Sequence, residues 1–97
     1  MSSHHEHKSR MHYVYRLQSA EDPEKFIIDT SSNVRARYKL HNSGDIPETA
    51  AFRPWILSFY TAFPSKHRAK EFAHYLKSES GQAFGHKHLW GPRDPRI

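Results

Sequence analysis

The sequence has no cysteine among its 97 residues and only four glycines. The absence of cysteine excludes a disulfide framework, a cysteine-ligated zinc site and a thiol nucleophile. No apolar run approaches the roughly 20 residues of a membrane-spanning helix, and the N-terminus is polar and His-rich where a signal peptide is apolar. A chain of this length builds one core. We therefore exclude a multidomain enzyme and expect one cytoplasmic domain that does not contact a membrane.

Positive charge is concentrated in the later two-thirds of the chain. Residues 33–97 carry eleven Lys and Arg against five Asp and Glu, whereas residues 1–32 carry four against five. A basic surface suits a polyanion such as nucleic acid, because neutralising phosphates releases counterions. Many small proteins carry a similar charge only for solubility. Charge alone therefore leaves both interpretations open.

Both ends of the chain predict disordered tails, over residues 1–10 and 91–97. The first has no apolar residue after its initiating Met, and the second has two prolines, one glycine and three charged residues. Neither tail buries enough apolar surface to offset the entropy lost on ordering. The folded domain is therefore predicted over residues 11–90, with Trp55 and Trp90 packed in its core rather than stacked on bases.

Three runs of β-branched and aromatic residues predict strands. The first two, over residues 13–17 and 26–28, are separated by a Pro-containing turn and predict a β-hairpin. The third, over residues 55–63, is the longest and ends at Pro64. The segment before it, over residues 45–54, is predicted as a Pro-bounded loop.

Helices are predicted between and after these strands. Ser31 or Ser32 caps the first helix, and Gly44 ends it. Ser65 caps a second helix, whose apolar residues recur with the helical period. These apolar residues are Ala69, Phe72, Ala73 and Leu76. A short last helix is predicted over residues 82–89. The order β-β-α-β-α-α indicates an α+β fold with a small three-stranded antiparallel sheet flanked by helices.

Five short motifs follow one another along the chain. They are Tyr13-Val14-Tyr15, Arg37-x-x-x-His41 with Asn42-Ser43-Gly44, Arg53-Pro54-Trp55, Tyr75-Leu76-Lys77-Ser78 and Gly81-Gln82-Ala83-Phe84. In order and spacing they closely resemble the stand-alone GIY-YIG nuclease domains, over about residues 12–90. The resemblance implies the fold that the element order indicates.

The resemblance also implies a metal-dependent endonuclease that hydrolyses a phosphodiester. In this family a helix glutamate holds one divalent metal ion, tyrosines of the two motif strands assist the attacking water, and a helix arginine stabilises the charge on phosphorus. Tyr15, Arg37 and His41 match family site residues. Because Arg37 and His41 are four positions apart, they share one helix face and could address one phosphate.

Three other positions depart from the family pattern. Ile27 replaces the tyrosine of the second motif, and an alkyl group cannot transfer a proton. Asp29 replaces the glycine of that motif and would put negative charge near the scissile phosphate. Ala73 replaces the metal-binding glutamate and cannot ligate magnesium. An exchange made to inactivate the protein would explain Ala73 alone, whereas natural divergence explains all three changes.

No metal or other cofactor is therefore predicted. A bound magnesium ion is expected only if the site is active. In that case Asp29 is the candidate for a relocated ligand, because a hard cation prefers carboxylate oxygen. The spacing of the motifs places Ile27 and Ala73 beside the pocket that Tyr15, Arg37 and His41 line.

Three functions from different classes remain open. The first, which the sequence favours, is a catalytically impaired GIY-YIG-like domain that binds nucleic acid through a basic face, with DNA as the first candidate. The second is a protein-interaction or inhibitory module that binds a protein partner. The third is a divergent magnesium-dependent DNA endonuclease that uses Tyr15, Arg37 and Asp29. The predicted nucleic-acid contacts are Arg37, His41, Arg53, Lys66, Lys70 and Lys77.

Overall fold

The structure is a computed structural model that describes residues 10–91. Its strands are β1 (His12–Ser19), β2 (Phe26–Ser31) and β3 (Trp55–Phe63), and its helices are α1 (Val34–Ser43), α2 (Pro47–Ala50), α3 (Lys66–Lys77) and α4 (Glu79–His88). The strands form one antiparallel sheet in the order β2-β1-β3. The predicted α+β class and element order are confirmed. The tails predicted over residues 1–10 and 91–97 fall almost wholly outside the described residues.

Side chains alternate across the sheet, so its two faces carry separate cores. We call these faces the α1 face and the α3 face, after the helix that covers each. The α1-face core consists of Tyr15, Leu17 and Trp55, flanked by Ile27, Val34, Tyr38 and Phe52. The α3-face core consists of Val14, Ile28, Ala69, Ala73 and Leu76, flanked by Phe59, Phe63, Phe72, Leu89 and Trp90. Both tryptophans therefore pack against a core, as predicted.

A β-bulge interrupts β3 at the middle of its pairing with the central strand. Arg16 lies opposite Phe59, but the next residue of β1, Leu17, lies opposite Leu57. Ser58 is thus the extra residue of the bulge. Because an extra residue shifts the alternation of side chains, positions 55 and 57 share a sheet face with position 60 rather than with position 59.

The first helix begins at a different cap from the one predicted. Asn33 is the N-cap, and its side chain accepts a hydrogen bond of 3.0 Å from the backbone N–H of Ala36. Ser31 instead ends β2, since its ladder with β1 continues to that residue. The predicted cap at Ser31 or Ser32 was therefore wrong. The predicted end is confirmed, because Gly44 adopts the left-handed conformation with φ of 89°.

The segment over residues 45–54, predicted as a loop, contains the one-turn helix α2. Pro47 occupies its first turn, where a missing N–H sacrifices no hydrogen bond. The carbonyl of Thr49 accepts a 3.0 Å hydrogen bond from the indole N–H of Trp55, so α2 covers that ring. A four-residue helix is too short to show a hydrophobic period. The sequence pattern therefore could not reveal it.

The last two helices begin at serine caps. The Ser65 hydroxyl accepts a hydrogen bond from the Arg68 N–H at 3.2 Å, as predicted for α3. The Ser78 hydroxyl accepts one from the Gly81 N–H at 3.1 Å, and α4 therefore begins three residues before the predicted start. None of the helices within residues 10–91 has the length and apolar content needed to cross a membrane.

Candidate active site and nucleic-acid interface

Tyr15 on the central strand and Arg37 on α1 are in contact. The Tyr15 side chain is fully buried, and its hydroxyl accepts a hydrogen bond of 3.5 Å from Nε of Arg37. Arg37 itself is half-buried. The buried phenol thus holds one edge of a guanidinium that still reaches solvent.

Two residues of β2 project onto the same sheet face as Tyr15. Asp29 lies directly opposite Tyr15 in the ladder, and Ile27 lies opposite Leu17. Facing residues of an antiparallel pair have their side chains on the same side. Ile27 packs against the α1-face core, as the motif spacing predicted. Asp29 is exposed, and one of its oxygens accepts a 2.8 Å hydrogen bond from the N–H of Thr30.

The protonation of Tyr15 follows from its surroundings. Burial raises the pKa of the Tyr15 phenol, and the negative charge of Asp29 adds to the rise, whereas Arg37 acts in the opposite direction through its hydrogen bond and its charge. The net effect is a raised pKa, so the phenol keeps its proton at neutral pH. A neutral phenol can form hydrogen bonds but does not remove a proton from water.

His41 is enclosed rather than presented to a ligand. It is 5% exposed, its Nδ1 lies 3.2 Å from Oγ1 of Thr49, and its ring meets the edge of Trp55. Burial lowers the pKa of His41, the charge of Arg37 lowers it further, and Asp29 opposes both. The imidazole is therefore neutral at neutral pH. Of the two residues that share this helix face, the structure leaves Arg37, not His41, open to a phosphate.

Ala73 lies on the other face of the sheet. It is 5% exposed and packs with Val14 in the α3-face core. Val14 precedes Tyr15 in β1, so their side chains point to opposite faces. The methyl group of Ala73 therefore does not line the pocket around Tyr15, contrary to the expectation from motif spacing. Ala73 lies on this side because it shares the buried face of α3 with Ala69 and Leu76, at helical spacing.

The residues around Tyr15 do not fit a magnesium site. Across residues 10–91, no three His, Asp or Glu side chains come together as metal ligands. Asp29 is the carboxylate that acts on Tyr15 and His41, and one of its oxygens is already engaged by the Thr30 N–H. Magnesium requires a near-octahedral oxygen shell, which a single carboxylate with one oxygen already engaged does not provide.

The six predicted nucleic-acid contacts lie on two sides of the domain. Arg37 and Arg53 lie on the side of α1 and α2, where Arg53 is exposed and its Nε donates a 2.7 Å hydrogen bond to the carbonyl of Ala50. Three exposed lysines lie on α3, which covers the opposite sheet face. These are Lys66, Lys70 and Lys77. The single basic face expected from the sequence is therefore two separate basic surfaces, and His41 belongs to neither.

Residues 11–87 match the family model of the GIY-YIG catalytic domain. The chain belongs to the GIY-YIG family. This membership confirms the resemblance carried by the five sequence motifs and connects the domain with the nuclease superfamily. No curated protein sequence matches the chain.

One positioning residue of this GIY-YIG domain escaped the sequence analysis. The sequence indicated Asn42 only as part of the helix end, but its side chain also bridges to the start of β3. Its amide donates a 3.0 Å hydrogen bond to the Trp55 carbonyl, and its oxygen accepts one of 2.6 Å from the Trp55 N–H. This two-bond bridge fixes α1, and with it Arg37, relative to the sheet. The signal in the sequence was an amide side chain two residues before the helix-ending Gly44.

The GIY-YIG domain also has a groove on the α1 face that the motifs did not indicate. Arg35 and Lys39 of α1 line one side, and Tyr60 of β3 lines the other. The available sequence signal was the spacing of the two cations, which at i and i+4 share one helix face. Nothing in the sequence indicated that β3 would place an aromatic ring opposite them.

Proposed function

We propose that this GIY-YIG domain binds nucleic acid, with DNA as the first candidate, through the exposed cations around α1, and that it does not hydrolyse what it binds. The contact between Tyr15 and Arg37 carries the proposal. Within residues 10–91 no carboxylate lies within ion-pair distance of Arg37, so no direct ion pair occupies its guanidinium. A guanidinium that is held by a buried hydroxyl and lacks an acidic partner is suited to bind phosphate.

The surroundings of Tyr15 support binding without hydrolysis. The raised pKa of Tyr15 keeps its phenol protonated, and Ile27 beside it offers only an alkyl group. Ala73, at the place of the family's metal-binding glutamate, provides a buried methyl group. A positioned proton-transfer group commonly contributes about 10²- to 10⁴-fold in rate. Groups that act as a unit lose most of their effect when one is missing.

A divergent endonuclease is the second candidate, and one observation favours it. Asp29 acts electrostatically on both Tyr15 and His41, so a carboxylate is present beside the retained half of the site. In that function Asp29 would ligate a magnesium ion whose family ligand is absent. Its lone carboxylate and the neighbouring Arg37 cation weigh against this candidate.

The binding part of the proposal is tested by the salt dependence of affinity. Fluorescence anisotropy of a labelled DNA duplex, titrated at several salt concentrations, should give a linear log–log plot whose slope reports a few phosphate contacts. Arg37→Ala should weaken binding several-fold and reduce the slope by about 1. Lys87→Ala, at an exposed lysine of α4 outside the predicted contacts, is the matched control and should bind like the parent protein. Circular dichroism establishes that each variant is folded.

Three outcomes would overturn the proposal. Absence of binding at about 50 mM salt, where phosphate contacts are strong, would favour the protein-interaction module on the same fold. Cleavage of duplex, single-stranded or branched DNA with magnesium or manganese would favour the endonuclease, provided that Asp29→Asn abolishes it. Binding that Arg37→Ala leaves unchanged would move the interface away from the Tyr15 site.

A further inference from the structure

A groove of about 690 Å³ runs between α1 and β3 on the α1 face. Its volume lies within the range of about 300–1,000 Å³ that is usual for pockets that hold organic ligands. The groove is open, and its β3 wall exposes two large side chains on the same sheet face: Tyr60 is 58% exposed and Leu57 is 36% exposed. More than half of the Tyr60 surface is therefore open to a ligand.

The two walls of the groove differ in chemistry. Arg35 and Lys39, both exposed, lie one helical turn apart on the α1 wall. No acidic residue lines the groove, and within residues 10–91 neither cation pairs with a carboxylate. Tyr13 and Tyr60 lie on the sheet wall, with ring centroids 6.3 Å apart and planes at 60°. Tyr60 stays largely exposed in spite of this contact, so its ring is accessible to a ligand.

We propose that this groove binds unpaired bases of a nucleic acid, with Tyr60 as the stacking platform and with Arg35 and Lys39 as the phosphate contacts. This inference rests on the proposed function, because it names the form of nucleic acid and the place where it binds. A basic wall facing an aromatic wall is the arrangement that tracks a single strand while its bases stack. Paired bases inside a duplex show no face to a tyrosine, so a duplex uses only the cations.

The geometry of β3 opposes the other simple occupant, a strand from a second copy of this chain. β3 is an outer strand of the sheet, and an outer strand can pair with another chain. The bulge at Ser58 interrupts its regular backbone, and Ser58 is also held by hydrogen bonds with Arg16. Bulged outer strands resist the addition of a further strand. The same bulge puts Leu57 on the sheet face of Tyr60, so one irregularity both interrupts the outer edge and adds Leu57 to the groove.

The test compares two DNA ligands on the full chain. A labelled oligothymidylate and a labelled hairpin duplex of similar length are titrated at one salt concentration, with the parent protein, Tyr60→Ala, Tyr60→Phe and Lys87→Ala. Stacking on an aromatic side chain is worth enough that Tyr60→Ala should weaken oligothymidylate binding roughly 5- to 100-fold. Tyr60→Phe should restore it, because stacking requires the ring and not the hydroxyl. Lys87→Ala, at an exposed lysine of α4 outside the groove and the predicted contacts, should have no effect on either ligand.

The outcomes separate this inference from the proposed function. Loss confined to the oligothymidylate in Tyr60→Ala supports the groove as a single-strand site. If Tyr60→Ala binds both the duplex and the oligothymidylate as tightly as the parent protein does, the inference is overturned. The proposed function then still stands. Absence of binding to both ligands overturns both. Self-association in sedimentation velocity that Tyr60→Ala abolishes would show a second copy in the groove and would also overturn the inference.

Discussion

The guanidinium of Arg16 lies 4.5 Å from the centroid of the Trp90 ring, in the α3-face core. Arg16 is 4% exposed, its Nη1 donates a 3.0 Å hydrogen bond to the Ser58 hydroxyl, and Phe26 covers it from another direction. Within residues 10–91 no carboxylate faces it, and both its Nε and the Trp90 indole N–H lack a hydrogen-bond partner. Burial lowers the pKa of Arg16 to about 10. Among the described residues, the central strand therefore buries a positive charge that aromatic rings and one hydroxyl stabilise.

Replacing this charge with an apolar side chain should stabilise the domain. Arg16→Met keeps most of the packing volume and removes an unpaired buried cation, so we expect the free energy of unfolding to rise by about 1–2 kcal/mol. Arg16→Lys keeps the charge but loses the planar contacts with the rings, and it should be less stable than the parent protein. Urea unfolding followed by circular dichroism measures both. A strong loss of stability in Arg16→Met would contradict the prediction, because the ring contacts and the Ser58 hydrogen bond would then outweigh the cost of burying the charge.

Acid should destabilise the domain through His41. Burial lowers the pKa of His41 below its unfolded value, so the unfolded chain takes up the proton first as pH falls. The stability contributed by the neutral imidazole is complete above the unfolded pKa of about 6.5 and is lost as pH falls toward the folded pKa.

The matched variant for this titration is His41→Phe. Phenylalanine preserves an aromatic ring against Trp55, and the Thr49 hydroxyl keeps its hydrogen bond to the carbonyl of Ile46. Between about pH 7.5 and about pH 5, the parent protein should lose more stability than the variant, by at most about 1.4 kcal/mol per pH unit for one proton. Parallel pH dependence in the two proteins would contradict the assignment to His41.

A glutamate at position 73 should destabilise the domain without restoring hydrolysis. Ala73→Glu puts a carboxylate into the α3-face core, for which we expect a cost of about 2–4 kcal/mol. Lys70→Glu, three residues earlier on the exposed side of α3, is the control and should change stability by less than about 1 kcal/mol. Thermal unfolding measures the difference, and a nicking assay with magnesium checks activity. A stable, magnesium-dependent Ala73→Glu nuclease would show that position 73 reaches the Tyr15 site.

Gly44 should not tolerate a side chain. Its φ of 89° is in the left-handed region, and a Cβ there would overlap the guanidinium of Arg53. Gly44→Ala should lower the free energy of unfolding by about 1–2 kcal/mol, mainly through the backbone conformation. The comparison is made on an Arg53→Ala background, where the overlap is absent. We expect about 1 kcal/mol of the cost to remain there, and its complete disappearance would assign the effect to Arg53 alone.

Features that depend on neighbouring residues could be predicted from the sequence. The caps at Ser65 and Gly44, the apolar period of α3 and the order of strands and helices all follow from interactions within a few residues. The GIY-YIG motifs could also be recognised in the sequence, because each motif is a short run of neighbouring residues. The first helix cap is an exception. Pairing with β1 extends β2 to Ser31, so the helix begins later and its cap is Asn33.

The tertiary structure alone decided which side chains meet. Val14 and Tyr15 are neighbours in sequence, yet they belong to opposite cores, and this separation places Ala73 away from the retained half of the family site. His41 is enclosed because α2 and Trp55 close over it, and a four-residue helix gives no periodic signal. The groove depends on the β3 bulge at Ser58. Ser58 bonds to Arg16 of β1, which lies 42 residues earlier in the chain. Sheet register and burial arise from pairing between distant segments, so local sequence patterns determine the elements while the pairing determines the site.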